Sequence, residues 1–109
     1  MDDRTGRIRA LNDAFRTTFR GGRIVITPGV DELPEEKKIR LLTLVQTFDS
    51  FDPDNDPYQE HDFLSVEMEG ETYFAKIDYY DLSLTGGSED PADPTRTTRV
   101  LTIMRANEY

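Results

Sequence analysis

The spacing of apolar residues predicts two amphipathic helices in the first half of the chain. Apolar positions recur at three- and four-residue intervals over 4–19 and again over 34–48, which is the period of one helix face. Gly21-Gly22 ends the first helix, and Pro34 suits the first turn of the second. The side chains expected in the core from these helices are Ile8, Leu11, Phe15, Ile39, Leu42 and Val45.

Shorter segments have the composition and spacing of strands. They are 23–27, 63–68, 72–80 and 98–105. Pro28-Gly29 predicts a turn after the first strand, and Glu69-Gly70 predicts a tight hairpin between the second and third. The side chains expected in the core from these strands are Val66, Ile77, Leu101 and Ile103.

The order of these elements, α-β-α-β-β-β, indicates the fold class. A chain of 109 residues is long enough for one domain, so we expect a single domain over 1–109. Three strands in succession favour antiparallel pairing. We therefore predict an α+β fold, in which an antiparallel sheet of about four strands carries two helices packed on one face.

Composition excludes several classes of function. The chain has no cysteine and one histidine, which excludes a disulfide framework, a cysteine zinc site and a thiol nucleophile. Its apolar runs are too short to cross a membrane. The first residues are charged and lack an apolar signal region, so we expect a cytoplasmic protein.

The distribution of charge is more informative than its total. Thirteen Lys and Arg against 22 Asp and Glu give a net charge of −9, and the stretch 49–93 holds 14 acidic residues and a single base, Lys76. Such a stretch repels nucleic acid and attracts a basic partner, although acidity also serves solubility alone. Most of the aromatic residues lie in the same stretch, which indicates folded strands and turns rather than disorder.

The segment 49–62 interrupts the regular pattern. Two prolines and many Asp and Asn residues predict an irregular loop between the second helix and the strand at 63–68. We expect this loop to be ordered, because Asp49, Asp52 and Asn55 can accept hydrogen bonds from backbone N–H groups in turns.

A cation site is one interpretation of this loop. Asp52, Asp54 and Asp56 stand at alternate positions, as in the first half of an EF-hand loop. Pro57 occupies the place of the glycine at the sharp turn, and Phe63 that of the bidentate glutamate, so the second half departs from the pattern. A looser metal site would use Asp54, Asp56, Glu60, His61 and Asp62. The alternative is that these side chains cap turns, and the interpretation that we prefer includes no cofactor.

His61 is the residue best suited to general acid–base chemistry. Carboxylates flank it at Glu60 and Asp62, and we expect Asp78 and Asp81 of the neighbouring strand to lie nearby. The alternative is a ring that bonds a backbone carbonyl at the entrance to a strand. Because the chain has no cysteine and no Gly-x-Ser-x-Gly elbow, we assign no catalytic residue.

Several motifs resemble those of one protein family. They are ALNDAFR at 10–16, FDPDNDP at 51–57 with EHDF at 60–63, KIDYYD at 76–81, and RVLTIM at 99–104. In these motifs, and over nearly its whole length, the chain resembles an uncharacterised bacterial family, the domain of unknown function DUF3768. The resemblance implies a gene context on plasmids and other mobile elements, often near anti-restriction genes. It implies no active-site residue.

The first functional hypothesis is a small, non-enzymatic protein-binding module. Its acidic face would act as a DNA mimic, because carboxylates accept bidentate arginine contacts much as phosphates do. The protein would inhibit a bacterial nucleic-acid-handling defence complex, as an anti-CRISPR or anti-restriction protein. Its partner would be a basic protein or nucleoprotein complex, with no direct contact to nucleic acid or membrane, and the sequence carries no signal for an oligomeric state. The predicted partner-binding residues are Asp52, Asp54, Asp56, Glu60, Asp62, Glu67, Glu69, Glu71, Asp78, Tyr80 and Asp81.

The second hypothesis is a small metal-dependent enzyme or metal-binding protein. It is supported by the density of ligand-type residues in the loop around His61. The two hypotheses use overlapping residues, but the first needs their carboxylates exposed and the second needs them to converge.

Overall fold

Residues 3–109, which the computed structural model describes, form three α-helices, four strands and a final 3₁₀ turn. The helices are α1 (Arg4–Thr18), α2 (Pro28–Asp31) and α3 (Glu35–Thr47). The strands are β1 (Gly22–Ile26), β2 (Phe63–Met68), β3 (Glu71–Tyr80) and β4 (Thr98–Arg105), and the 3₁₀ turn is Ala106–Glu108. Each predicted helix and strand is present, with bounds that differ by at most one residue. The predicted α+β class is confirmed.

The sheet is mixed, whereas the sequence predicts a purely antiparallel one. The strand order is β1-β4-β3-β2; β2, β3 and β4 pair antiparallel, and β1 pairs with β4 in parallel. β1 is parallel to β4 because of the connection that follows β1: α2 and α3 carry the chain from β1 to the far edge of the sheet. The following β2-β3-β4 meander then returns to β1 with its last strand running in the same direction, as a crossover connection allows.

The core lies between one face of the sheet and the helices. Inward-facing side chains of the strands pack against Phe15 of α1 and against Leu41 and Val45 of α3. Of the predicted core residues, Ile8, Phe15, Val45, Val66, Ile77, Leu101 and Ile103 are buried.

The predicted core face of α3 is confirmed at Val45 but not at Ile39 or Leu42. Ile39 is 57% exposed, and Leu42 is only half-buried, as is Leu11 of α1. Leu41 and Val45, one turn apart, form the buried stripe instead. Apolar residues occur on every side of this helix, so the period alone does not determine which stripe faces the sheet.

A short helix replaces the predicted turn at Pro28-Gly29. Pro28 takes the first helical position of α2, where its missing N–H costs nothing, and Val30 is fully buried. The carboxylate of Glu108 accepts hydrogen bonds from the Thr27 hydroxyl at 2.7 Å and from the Gly29 N–H at 2.9 Å. The C-terminal 3₁₀ turn is thereby joined to the start of α2.

The opposite face of the sheet carries a cluster of aromatic rings. Phe63, Phe74 and Tyr109 have ring centroids between 5.1 and 5.9 Å apart. Met104 of β4 is on the same face and is buried. The C-terminal residue thus contributes to the packing of the sheet.

Candidate functional site

The loop 49–62 is ordered by its own Asp and Asn side chains. The Oδ1 atom of Asp52 accepts hydrogen bonds from the N–H groups of Asp54 and Asn55, both at 2.9 Å. The Asn55 amide accepts from the Asp52 N–H and donates to the Ser50 carbonyl. The predicted turn-capping roles of Asp52 and Asn55 are confirmed, and they supply acceptors for N–H groups in an irregular segment.

His61 lies between two carboxylates. Its Nδ1 is 2.8 Å from Asp13 Oδ1 of α1, and its Nε2 is 3.5 Å from Asp56 Oδ2. The Asp56 carboxylate, which is 5% exposed, also accepts from the His61 backbone N–H. The expected partners Asp78 and Asp81 bond elsewhere: Asp78 pairs with Lys76, and Asp81 bonds Ser83 and Thr85. The alternative prediction, a hydrogen bond between the His61 ring and a backbone carbonyl, is not observed either. The ring bonds Asp13 instead, which is 48 residues away in the sequence.

Aromatic and guanidinium planes are layered behind His61. The Phe51 ring is stacked on His61 at 3.9 Å, and the Arg16 guanidinium lies 5.4 Å from the same Phe51 ring. Arg16 is buried and donates to the carbonyls of Val45, Gln46 and Phe48 at the C-terminus of α3. A cation at this helix end satisfies carbonyls that lack helical partners. The same group therefore stabilises α3 and supports the loop.

A second polar network is buried beneath the end of the sheet. Asn12, fully buried, donates to the Glu60 carbonyl at 2.9 Å and to the Tyr79 hydroxyl at 2.8 Å. Its Oδ1 accepts from Arg99 Nε at 2.8 Å, and the Tyr79 hydroxyl donates to the Glu60 carboxylate at 2.7 Å. Burial, followed by the hydrogen bond to Glu60, raises the pKa of Tyr79, and burial lowers the pKa of Arg99. The network ties α1, the loop, β3 and β4 together.

A surface cleft of about 380 Å³ opens beside His61. Its wall combines one guanidinium, the imidazole, two carboxylates and an aromatic ring. The lining residues are Arg9, Phe51, Asp52, Pro53, Asp56, Gln59 and His61. Arg9 is held there by a hydrogen bond to the Gln59 carbonyl at 2.9 Å.

The residues of the predicted looser metal site are not brought together as a set. Asp56 approaches His61, but Glu60 is hydrogen-bonded to Tyr79, and Asp54 is exposed on a turn. Over residues 3–109, no group of three or more His, Asp or Glu side chains is arranged to hold a metal ion.

The predicted partner-binding residues separate into two groups. β2 begins beside the end of β3, since the Ile77 N–H donates to the Asp62 carbonyl at 2.8 Å. The loops 49–62 and 81–97 therefore lie at one end of the sheet, which we call the acidic end. The β2-β3 turn lies at the other, which we call the hairpin end. β2 has six residues, so Asp62 at the acidic end and Glu69 at the hairpin end are about 20 Å apart.

The two groups contain different residues, and they differ in how far their carboxylates are paired with basic side chains. At the acidic end are Asp52, Asp54, Asp56, Glu60, Asp62, Asp78, Tyr80 and Asp81, and at the hairpin end are Glu67, Glu69 and Glu71. The hairpin end is partly neutralised, because Glu69 pairs with Lys37 at 3.1 Å and Glu71 with Arg105 at 2.7 Å. Tyr80 is half-buried, while Tyr79 belongs to the internal network. The predicted single acidic surface is thus discontinuous.

The carboxylates at the acidic end interact with one another. Burial, and then the charges of Glu60, Asp56 and Asp78, raise the pKa of Asp62. By contrast, a hydrogen bond from Ser83 lowers the pKa of Asp81, and one from Thr95 lowers the pKa of Asp93. Negative charge is therefore concentrated at this end and held in fixed turns.

Sequence reasoning missed the buried polar residues of α1 and β4, although signals for two of them exist. Asn12 stands four residues after Ile8 and three before Phe15, on the apolar stripe of α1. Arg99 stands at an inward position of β4, two residues before Leu101. A polar residue at a buried position of a pattern indicates an internal hydrogen-bond network.

The fold and the site define a small α+β protein with an acidic end and a buried polar network beneath it. The chain belongs to the family described as protein of unknown function (DUF3768), whose model matches residues 26–108. The matched region includes α2, α3, the loop 49–62 and the strands β2, β3 and β4, but only the last residue of β1. It does not include α1, which supplies Asn12, Asp13 and Arg16. The chain has no significant match among curated proteins or solved structures. Over residues 3–109, no helix has the length and apolar content needed to cross a bilayer.

Proposed function

We propose that the protein is a non-enzymatic binding module whose acidic end occupies a basic groove of another protein. The supporting observation is the crowding of carboxylates around Asp62, whose pKa is raised by burial and by three neighbouring acidic side chains. A basic partner relieves this repulsion, so that complex formation gains free energy that the isolated protein lacks.

The rigidity of the acidic end also favours binding. The loop carboxylates of Asp52, Asp81 and Asp93 accept hydrogen bonds from backbone N–H groups of their own turns. Such groups lose little conformational freedom when a partner binds, which lowers the entropic cost of association. Fixed carboxylates in a row of turns present acceptors to arginine in the manner of phosphates.

The partner that fits this chemistry is a protein that normally binds nucleic acid. A groove that holds phosphates has the positive charge and the arginine donors that fixed carboxylates require. We therefore propose inhibition of a bacterial nucleic-acid-handling defence complex, of the CRISPR or restriction type, by competition for its nucleic-acid groove. The mobile-element context implied by the family resemblance is consistent with such a target.

The test is a competition assay with charge-reversal variants. Purified restriction endonucleases and CRISPR effector complexes are bound to labelled duplex DNA, and displacement of the DNA by the protein is measured at rising salt. The acidic-end variant is D49K/D54K/E89K, because these three side chains are exposed. The expected turn capping by Asp49 is not found among the described residues, and Glu89 forms a surface ion pair with Arg96 at 3.2 Å. The control is D31K/E35K/E36K, which makes the same change of charge on α2 and α3.

The expected result is displacement by the parent and by the control variant, lost in the acidic-end variant and weakened by salt. Thermal melting confirms that both variants fold. Equal displacement by the two variants, or displacement that salt does not affect, contradicts the proposal.

A second candidate function is favoured by one contact. The His61 Nε2 atom lies 3.5 Å from Asp56 Oδ2 at the wall of the 380 Å³ cleft, where an imidazole and a carboxylate could hold a metal ion together. Calorimetric titration with Zn²⁺, Ca²⁺ and Mg²⁺ tests this function, with His61→Ala as the control. Absence of both heat and a shift in melting temperature with all three ions in the parent protein excludes it.

A further inference from the structure

β2 is an edge strand whose outer main-chain groups face away from the sheet. It pairs with β3 on one side and is last in the strand order. The Ile77 N–H bonds the Asp62 carbonyl, and in an antiparallel pair every second residue bonds the same neighbour. Leu64, Val66 and Met68 therefore direct their N–H and C=O groups to β3, and the alternate residues Phe63, Ser65 and Glu67 direct theirs outward.

The outer edge of β2 lacks the features that usually block an edge strand. The strand FLSVEM has no proline and no lysine, and its register with β3 runs without a bulge from Phe63 to Met68. Ser65 and Glu67 are exposed. Among the described residues, none makes a backbone hydrogen bond to this edge. Such a row of N–H and C=O groups is a template for another strand.

Charge indicates the kind of strand that fits. The segment 49–75 contains nine acidic residues and no Lys or Arg. Asp62 lies just before β2, and Glu67 lies within β2 with its side chain exposed. A second copy of this chain would bring its own net charge of −9 to the same place, so charge complementarity favours a basic occupant.

We propose that the outer edge of β2 accepts an extended segment of a basic protein as a fifth strand. This inference rests on the proposed function, in that the partner is a basic protein, and it adds the mode of recognition. Main-chain hydrogen bonds to Phe63, Ser65 and Glu67 supply affinity, and side chains at alternate positions supply specificity. Basic side chains of the segment lie beside Glu67, and apolar ones continue the row of Leu64 and Val66.

This mode of binding connects the two groups of acidic residues. β2 runs from the acidic end to the hairpin end, a distance of about 20 Å for six residues. A strand of similar length, added along β2, reaches Asp62 with one end and Glu67 with the other. The carboxylates on the two ends then act on one partner, although they form no continuous surface.

A single backbone substitution tests the edge. Ser65→Pro removes an outward N–H, and it leaves the bonds to β3 intact because Ser65 does not donate to that strand. Ser65→Ala is the matched control, since it keeps the N–H. The probe is a synthetic seven-residue peptide of alternating valine and lysine, titrated at low salt, with amide hydrogen exchange of the protein measured in parallel.

We expect the peptide to slow exchange at Phe63, Ser65 and Glu67 in the parent and in Ser65→Ala. Ser65→Pro should weaken binding about tenfold, because the central donor of the edge is lost and the peptide carbonyl that faces it is left without a partner. Binding of equal strength in the two variants, absence of peptide binding in the parent, or protection confined to other segments overturns the inference.

A second measurement does not depend on the fold of the proline variant. Two peptides are N-methylated on alternate residues, so that each blocks the donors on one edge of the peptide strand. Only one of the two should bind the parent protein, and equal affinities contradict strand addition. Sedimentation velocity of the parent tests the other occupant, since a dimer that Ser65→Pro dissociates would show a second copy at this edge and overturn the proposal.

Two results distinguish failure of the strand-addition proposal from failure of the proposed function. If Ser65→Pro displaces DNA from a defence complex as well as Ser65→Ala does, strand addition is wrong and the role of the acidic end is unaffected. If D49K/D54K/E89K displaces DNA as the parent does while the peptide still protects the β2 edge, the proposed function fails and the edge remains a binding site for basic strands.

Discussion

Replacement of Asn12 by alanine tests whether the buried polar network stabilises the fold. The Asn12 side chain is fully buried and makes three hydrogen bonds, to the Glu60 carbonyl, the Tyr79 hydroxyl and Arg99 Nε. Alanine removes all three and offers no substitute. Arg99 is itself 3% exposed, so water has little access to the donor that loses its acceptor.

The expected change in the free energy of unfolding follows from the buried groups that lose a hydrogen-bond partner. A buried group deprived of its hydrogen bond costs about 1–3 kcal/mol, and more when it is charged. Asn12→Ala leaves the charged Arg99 Nε and the Glu60 carbonyl each without this partner, while Tyr79 still donates to Glu60. We expect a loss of about 3 kcal/mol in the free energy of unfolding, a large share of the 5–15 kcal/mol typical of a domain.

The assay is urea unfolding at neutral pH, followed by far-UV circular dichroism and compared with thermal melting. A loss of this size lowers the melting temperature by roughly 15 °C for a domain of about 100 residues. Asn107→Ala is the matched control, because Asn107 is exposed, and its effect should stay below about 0.5 kcal/mol. If Asn12→Ala costs no more than the control, the network contributes nothing to stability and the reasoning is wrong.

Three further predictions concern packing, pH and the loop. Leu41→Ala should lower the free energy of unfolding by about 2–5 kcal/mol, and Leu42→Ala by clearly less, because Leu41 is fully buried and Leu42 is not; equal losses in urea unfolding would contradict the orientation of α3. The pKa of Asp62 is higher in the folded protein than in the unfolded chain, so the ionised carboxylate destabilises the fold. The free energy of unfolding therefore rises as the pH falls from the pKa of the folded state to that of the unfolded state. Asp62→Asn should therefore raise the melting temperature at pH 7, with a gain that disappears at pH 3, and a gain that persists unchanged at pH 3 would refute this cause. His61→Ala should speed amide exchange in the loop 49–62 and leave β3 protected, because the contacts of His61 with Asp13 and Phe51 anchor the loop; unchanged exchange in the loop would show that its own turns suffice.

The helices and strands could be predicted because their hydrophobic periodicity depends only on residues that are close together in the sequence. The burial pattern alternates throughout the strand at 63–68, and in the strand at 98–105 it alternates up to Met104, which is buried on the opposite face. Each side chain's face follows from its position in the pleat. The direction of β1 relative to β4 is not local. It depends on where α2 and α3 deliver the chain after Ile26, and no residue within β1 records it.

The contacts of the candidate site are also of two kinds, local ones that the sequence predicts and distant ones that it does not. Turn capping by Asp52 and Asn55 acts over three residues or fewer, so sequence predicts it. His61 meets Asp13 across 48 positions, and Arg99 meets Asn12 across 87. Sequence can mark such residues as polar members of an apolar stripe, but only the packing of α1 on the sheet shows which ones meet.

The pairing of β1 with β4 also affects how the chain folds. It aligns Gly22 with Arg99 and Ile26 with Ile103, contacts that span most of the sequence. Closing so long a loop costs conformational entropy before the contacts are made, and domains rich in such contacts fold slowly. During synthesis β1 has no strand to join until β4 has been made. A chain interrupted before residue 98 therefore has an unpaired β1 and an open edge on β3, whose other edge pairs with β2, and it can associate with other chains at both.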